Sequence, residues 1–200
     1  MSPSPRLAVR GPTAPSVLVL LLPGGRTRST APGGRGLADL RMLPFAGAAA
    51  GPGVGVWRLR YRYQGWNEPA RHPVADARWA LTEAARRHPG VPVLLIGHSM
   101  GGRVALHVAT EPGVAGVCGL APWIEPEDFQ LPTDSLVPLV LAHGSRDRTT
   151  DPVATARFAA DHGARFVLVP GENHTLLRHY RTWNRLVTDF VTTHRTTDSR

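Results

Sequence analysis

The 200-residue sequence contains no lysine: all 23 of its basic side chains are arginines. That absence removes Schiff-base and P-loop lysines, and with them several enzyme classes. It also accounts for a sequence pI of about 11.2, because guanidinium groups stay protonated in proteins. There is a single cysteine, Cys118, so an internal disulfide framework is excluded, and no Cys/His cluster has zinc-site spacing. No metal or cofactor is expected. Long apolar runs are missing too. The longest, Val17 to Leu22 and Val93 to Ile96, fall far short of the ~20 residues that cross a bilayer. Arg6 and Arg10 precede the first run as in a signal peptide, but Pro23-Gly24-Gly25-Arg26 follows in place of a small-x-small cleavage site. The expected location is cytoplasmic, with no membrane partner.

The formal net charge is +8, unevenly spread. Residues 1–100 carry 13 Arg against Asp39, Glu68, Asp76 and Glu83, whereas residues 101–200 carry 10 Arg against 11 acids. Such a bias raises the question of an anionic partner. RNA-binding modules interleave clustered cations with aromatics, and only Trp57 to Tyr63 does so here. That segment alternates as a strand, with Trp57, Leu59, Tyr61 and Tyr63 on one face and Arg58, Arg60 and Arg62 on the other. Placed at or near a sheet edge, it keeps three guanidinium groups out of the core. No nucleic-acid partner is expected.

Strand-like runs alternate with helical ones along the whole chain. Ser16 to Leu22, Val54 to Tyr63, Val91 to Gly97, Val114 to Leu120, Val137 to His143 and Arg165 to Val169 read as strands. Leu37 to Ala50, Val74 to His88, Gly101 to Thr110, a segment opened by Asp151-Pro152, and Leu176 to Thr193 read as helices. Alternation of this kind predicts an α/β fold, a three-layer α/β/α sandwich on a mainly parallel sheet of about six strands. One domain spans 1–200, its core at 16–194, with residues 1–15 and 195–200 as loosely ordered ends. No internal repeat is present.

Gly97-His98-Ser99-Met100-Gly101-Gly102 follows the apolar strand Val93 to Ile96 and precedes a helix. A serine at such a sharp strand-to-helix turn is lifted above the carboxyl end of the sheet, at a helix N-terminus that favours developing negative charge. A serine hydroxyl is a poor nucleophile alone, so an acid and a histidine should follow in that order, each just after a later strand. Asp147, in His143-Gly144-Ser145-Arg146-Asp147, comes 48 residues after Ser99, and His174, in Glu172-Asn173-His174, comes 27 residues after that. Asp151 is better used as a helix N-cap before Pro152. Glu172 reads as solvated, His98 as packing locally, and His143 as the end of a buried strand.

On these three segments the chain resembles the α/β-hydrolase fold superfamily over residues 16–194. The nearest likeness is to small capless serine hydrolases of the dienelactone hydrolase-like and carboxylesterase-like kind. The resemblance implies Ser99 as nucleophile, His174 as general base then acid, and Asp147 as the residue orienting the imidazole. Dienelactone hydrolases proper carry a nucleophilic cysteine, so Ser99 argues against that activity. The oxyanion hole is then expected at the backbone N–H groups of Met100 and Gly25, with Arg26 as runner-up for the second donor. Relatives often have His-Gly after the first core strand, where this chain has Pro23-Gly24-Gly25.

Only about sixteen residues separate Leu120 from Val137, too few for a cap domain. Trp123 and Ile124 are expected to wall the site, Trp66 to line its opposite side, and Arg26 with Arg28 to favour substrates bearing negative charge. The expected activity is cleavage of a small-molecule carboxylic ester or thioester through an acyl-enzyme. Acyl transfer or a lyase reaction on the same fold is the alternative, followed by a non-catalytic anion-binding protein. The chain is expected to act as a monomer or homodimer.

Overall fold

Strands β2 (Val17–Leu22) and β4 (Val93–His98) are buried at every position, and they run side by side through the middle of a seven-stranded sheet. Continuous apolar runs belong in such a position, since helices cover both faces of a parallel sheet. The computed structural model describes residues 3–34, 36–132 and 137–195. Its other strands are β1 (Arg6–Arg10), β3 (Val54–Arg60), β5 (Val114–Leu120), β6 (Leu139–Gly144) and β7 (Arg165–Val169). The spatial order is β1-β3-β2-β4-β5-β6-β7, parallel except for β1, which runs antiparallel to β3.

Six helices flank the sheet: α1 (Leu37–Arg41), α2 (Leu43–Ala49), α3 (His72–Arg87), α4 (Met100–His107), α5 (Pro152–Asp161) and α6 (Tyr180–Arg195). Val74, Ala77 and Leu81 of α3, Val104 of α4 and Phe158 of α5 pack with Leu18, Leu20 and Leu95 on one face. Met42 and Phe45 from the α1–α2 pair, with Trp183, Val187 and Phe190 of α6, pack with Val19, Leu21 and Ile96 on the other. The three-layer sandwich follows. Between β5 and β6 the described residues form only a 3-10 turn, Pro126–Gln130, and no cap domain intervenes.

The structure differs from the sequence expectation in the leading segment. Residues 6–10, expected to be loose, add a seventh strand. Leu7 packs on the core while Arg6 and Arg10 bracket a short edge that resists pairing with another chain. Strand β3 is therefore second from the edge, and its arginines are not simply solvated. Arg58 and Arg60 are largely covered and face Asp39, and Arg62 Nε binds Asp76. The 37–50 helix is interrupted at Met42, where Pro44 enters the first turn of α2. The expectation of a loose 195–200 end lies, beyond Arg195, outside the described residues.

Candidate active site

Strand β4 ends at His98, and α4 begins at Met100, so Ser99 occupies the corner alone. Its backbone, φ 56° and ψ −121°, is unfavourable for a residue with a Cβ. Two glycines make the corner possible by close approach: a Cβ on Gly97 would strike the carbonyl of Gly101, and one on Gly101 would strike the carbonyl of Leu22. The strained turn is thus held by its surroundings.

The loops after β6 and β7 bring two further side chains to this corner. His174 Nδ1 lies 2.7 Å from Asp147 Oδ2, and Nε2 lies 2.9 Å from Ser99 Oγ. A carboxylate facing Nδ1 assigns the proton to that nitrogen, which leaves the Nε2 lone pair to accept from the serine hydroxyl. Ser99 and Asp147 are buried and His174 half-buried. Burial alone would raise the Asp147 carboxyl, but hydrogen bonds from His143, His174 and the backbone N–H groups of Thr149 and Thr150 outweigh it. They hold the group well below the usual carboxylate range. Asp147 is therefore an ionised acceptor throughout the neutral range.

Three neighbours support the arrangement. His98 is buried, and its Nε2 donates to the backbone carbonyl of His174 at 3.0 Å, with the two rings tilted 4.9 Å apart. Burial, reinforced by the neighbouring His174, pushes the His98 imidazole down to about 3, so it stays neutral. Glu172 is fully buried rather than solvated. Its carboxylate accepts from the backbone N–H of Asn173 at 2.9 Å and of His179 at 2.7 Å, and from Trp183 Nε1 at 3.2 Å. It fastens the His174 loop to α6. His143 contacts Asp147 directly. The position after a strand announced the loop residues, whereas these contacts depend on which side chains fold back toward them, and no local pattern signals that.

Met100, as first residue of α4, has an N–H with no intrahelical acceptor. Of the two loop candidates, Arg26 has its N–H committed to Gln64 O at 2.8 Å, which leaves Gly25, next to the Met100 side chain. A cavity of about 420 Å³ opens in front of Ser99 and His174. It is lined by the Pro23–Arg26 loop, by Leu37–Asp39 and Arg41 at α1, and by Arg60, Tyr63 and Thr149. Arg28 is not among its lining residues.

None of Trp66, Trp123 and Ile124 lines that cavity, although the Trp123 backbone N–H donates to Ser99 O at 3.1 Å. Trp66 is buried and, with Trp123, encloses the guanidinium of Arg103, whose Cζ lies 4.3 Å and 4.6 Å from the two ring centroids. Arg103 in turn binds Asp128 and Glu127 of the 3-10 turn. The aromatic pair therefore serves a buried cation. Trp123 and Ile124 line a separate cavity of about 370 Å³ that meets the first only at Thr149. No cluster of metal-binding side chains occurs among the described residues, and none of their helices is long and apolar enough to cross a membrane.

Comparison with known proteins gives the same architecture. A family model described as an alpha/beta hydrolase domain matches residues 34–192. No curated protein matches the sequence. Among solved structures, an alpha-beta serine hydrolase homologue from Coxiella burnetii superposes with a TM-score of 0.76 at 19% identity, covering 93% of this chain and 91% of that one. A serine hydrolase without lid from Xanthomonas campestris gives 0.77 at 19% identity, with 94% and 88% covered. Esterase 2 of Thermogutta terrifontis, phosphonylated by cyclosarin, gives 0.74 at 18% identity, with 94% and 89% covered. These likenesses establish the fold, and the family model, which spans most of the chain, establishes that it belongs to the alpha/beta hydrolase family of enzymes.

Proposed function

We propose that the protein is a serine hydrolase of carboxylic esters or thioesters acting through an acyl-enzyme. The observation that carries this reading is the continuous contact from Ser99 Oγ through His174 to Asp147, at 2.9 Å and 2.7 Å. In that sequence His174 Nε2 takes the Ser99 proton as Oγ attacks the carbonyl carbon, and the imidazolium formed faces ionised Asp147. The tetrahedral oxyanion is held by the N–H groups of Met100 and Gly25, two donors fixed before reaction. His174 then returns its proton to the departing alcohol or thiol. Water, deprotonated by the same imidazole, releases the acid and restores Ser99. The esterase from Thermogutta that carries a phosphonyl group has the same fold at 18% identity and supports the reading by analogy.

A fluorophosphonate probe followed by peptide mass spectrometry tests the nucleophile. Labelling at Ser99, lost in Ser99→Ala together with turnover of short 4-nitrophenyl esters, is the expected result. Unlabelled Ser99 with no ester turnover would exclude the mechanism.

A further inference from the structure

The cavity in front of Ser99 carries more positive than negative charge. Arg26, Arg41 and Arg60 line it, and Asp39 is the one carboxylate among its described lining residues. That carboxylate is 4% exposed and already shared. Arg58 Nε lies 3.1 Å from Oδ1 and Arg60 Nε 3.6 Å from Oδ2. Two guanidinium groups on one carboxylate leave a net positive charge. Arg58 Nε and Asp39 Oδ1 face each other without hydrogen-bond alignment, and Arg60 Nε, on the residue that lines the cavity, has no aligned acceptor among the described residues. Arg26 and Arg41 have no carboxylate within ion-pair distance there either. A neighbouring cavity shares Gly33, Gly34, Arg60 and Tyr61 with the first and adds Arg6 to the cationic lining.

A buried Arg60 donor without an aligned acceptor, beside Arg26 and Arg41 without carboxylates, is costly and gains nothing in a site meant only for neutral acyl groups. An entering carboxylate or phosphate supplies the missing acceptors, and guanidinium groups match the planar, two-oxygen geometry of both. We propose that this cavity selects esters or thioesters whose acyl or alcohol portion carries a carboxylate or phosphate, bound by Arg41 and Arg60 with Arg26 at the rim. The proposal rests on Ser99 as the reacting residue. It places the origin of selectivity at α1 and β3, away from the reacting atoms, so specificity and turnover are separable.

Two matched pairs test it: the 4-nitrophenyl monoester of adipate against its methyl-capped form, and 2-phosphoethyl butyrate against 2-hydroxyethyl butyrate. In the wild-type protein kcat/KM for the anionic member should exceed that for the neutral one by about tenfold or more, the worth of a charged hydrogen bond. The ratio should shrink with added salt as exposed charges are screened, and fall several-fold in Arg41→Gln and in Arg26→Gln. Preference in the first pair alone assigns a carboxylate, in the second alone a phosphate. Monomethyl adipate binding to Ser99→Ala by calorimetry, against dimethyl adipate, reads the cavity independently of chemistry, with 2-phosphoethyl butyrate against 2-hydroxyethyl butyrate as its phosphate arm. If no ester is turned over but anion-selective binding persists and is lost in Arg41→Gln, the hydrolase reading falls and the cavity assignment stands. Ratios near one for both pairs in turnover, or no anion preference in binding, overturn the proposal. So does a preference that survives both arginine substitutions.

Discussion

His143 Nε2 lies 3.2 Å from Asp147 Oδ2, so the carboxylate that faces His174 also faces a second imidazole. His143 is fully buried at the end of β6, and its Nδ1 is 2.8 Å from Thr155 Oγ1 on α5. Asp147 is thereby clamped from the α5 side as well as by its own loop. Replacing His143 by Leu should lower kcat about tenfold with little change in KM, because orientation of His174 is lost while the cavity is untouched. His143→Gln, whose amide still donates, should recover much of it. Steady-state kinetics on 4-nitrophenyl butyrate separates the two parameters; a change confined to KM contradicts this role.

Asp147→Asn keeps the shape of the site but replaces an ionised acceptor by an amide. A drop in kcat on the order of 10³–10⁴ is expected, from the wrong imidazole tautomer and an unstabilised imidazolium. The same kinetics measures it, with burst titration confirming the concentration of competent Ser99.

Acid should destabilise the fold partly through His98. In the unfolded chain this imidazole titrates near its usual 6.5, whereas in the fold burial and the neighbouring His174 keep it neutral down to about 3. Between those values the unfolded state binds more protons, so stability rises with pH across that window. Going from pH 7 to pH 3 this group alone removes roughly 4 kcal/mol. Urea denaturation of wild type and His98→Gln at both pH values isolates the effect. The variant should lose distinctly less stability than the wild type.

Asp128 accepts from Arg103 Nε, from His107 Nε2 at 2.8 Å and from the backbone N–H of Glu125 at 2.8 Å. Asp128→Ala leaves the buried Arg103 cation with only the more exposed Glu127 as partner and should cost about 3 kcal/mol. Removing both charges at once, in Asp128→Ala with Arg103→Leu, should cost less than the sum of the single changes. Chemical denaturation of the three variants provides the cycle.

The order Ser99, Asp147, His174 was legible because each residue follows a strand with its own apolar pattern, and strand ends of a parallel sheet point the same way. Chain position could not tell which side of a loop a side chain takes. Trp66 follows β3 as expected, yet its ring turns inward to Arg103 because a buried guanidinium attracts an aromatic face. Glu172 looked like a surface acid, and its burial depends on three donors from residues 173, 179 and 183 converging only after α6 docks. Arg58 and Arg60 alternated as an exposed face would. Asp39, from a separate helix, is what allows them to be covered. Periodicity reports which residues share a face and is silent on what is brought against it.

Thr149 lines both the arginine-bearing cavity at Ser99 and the one walled by Trp123, Ile124 and Phe129. Its backbone N–H is also one of the donors to Asp147 Oδ1, at 2.8 Å. The partition and the support of Asp147 are therefore a single residue acting through different atoms. Trimming its side chain should join the two cavities, while the amide goes on holding the carboxylate. Shifting the loop itself changes both at once, so this boundary should accept side-chain replacement and be intolerant of insertion.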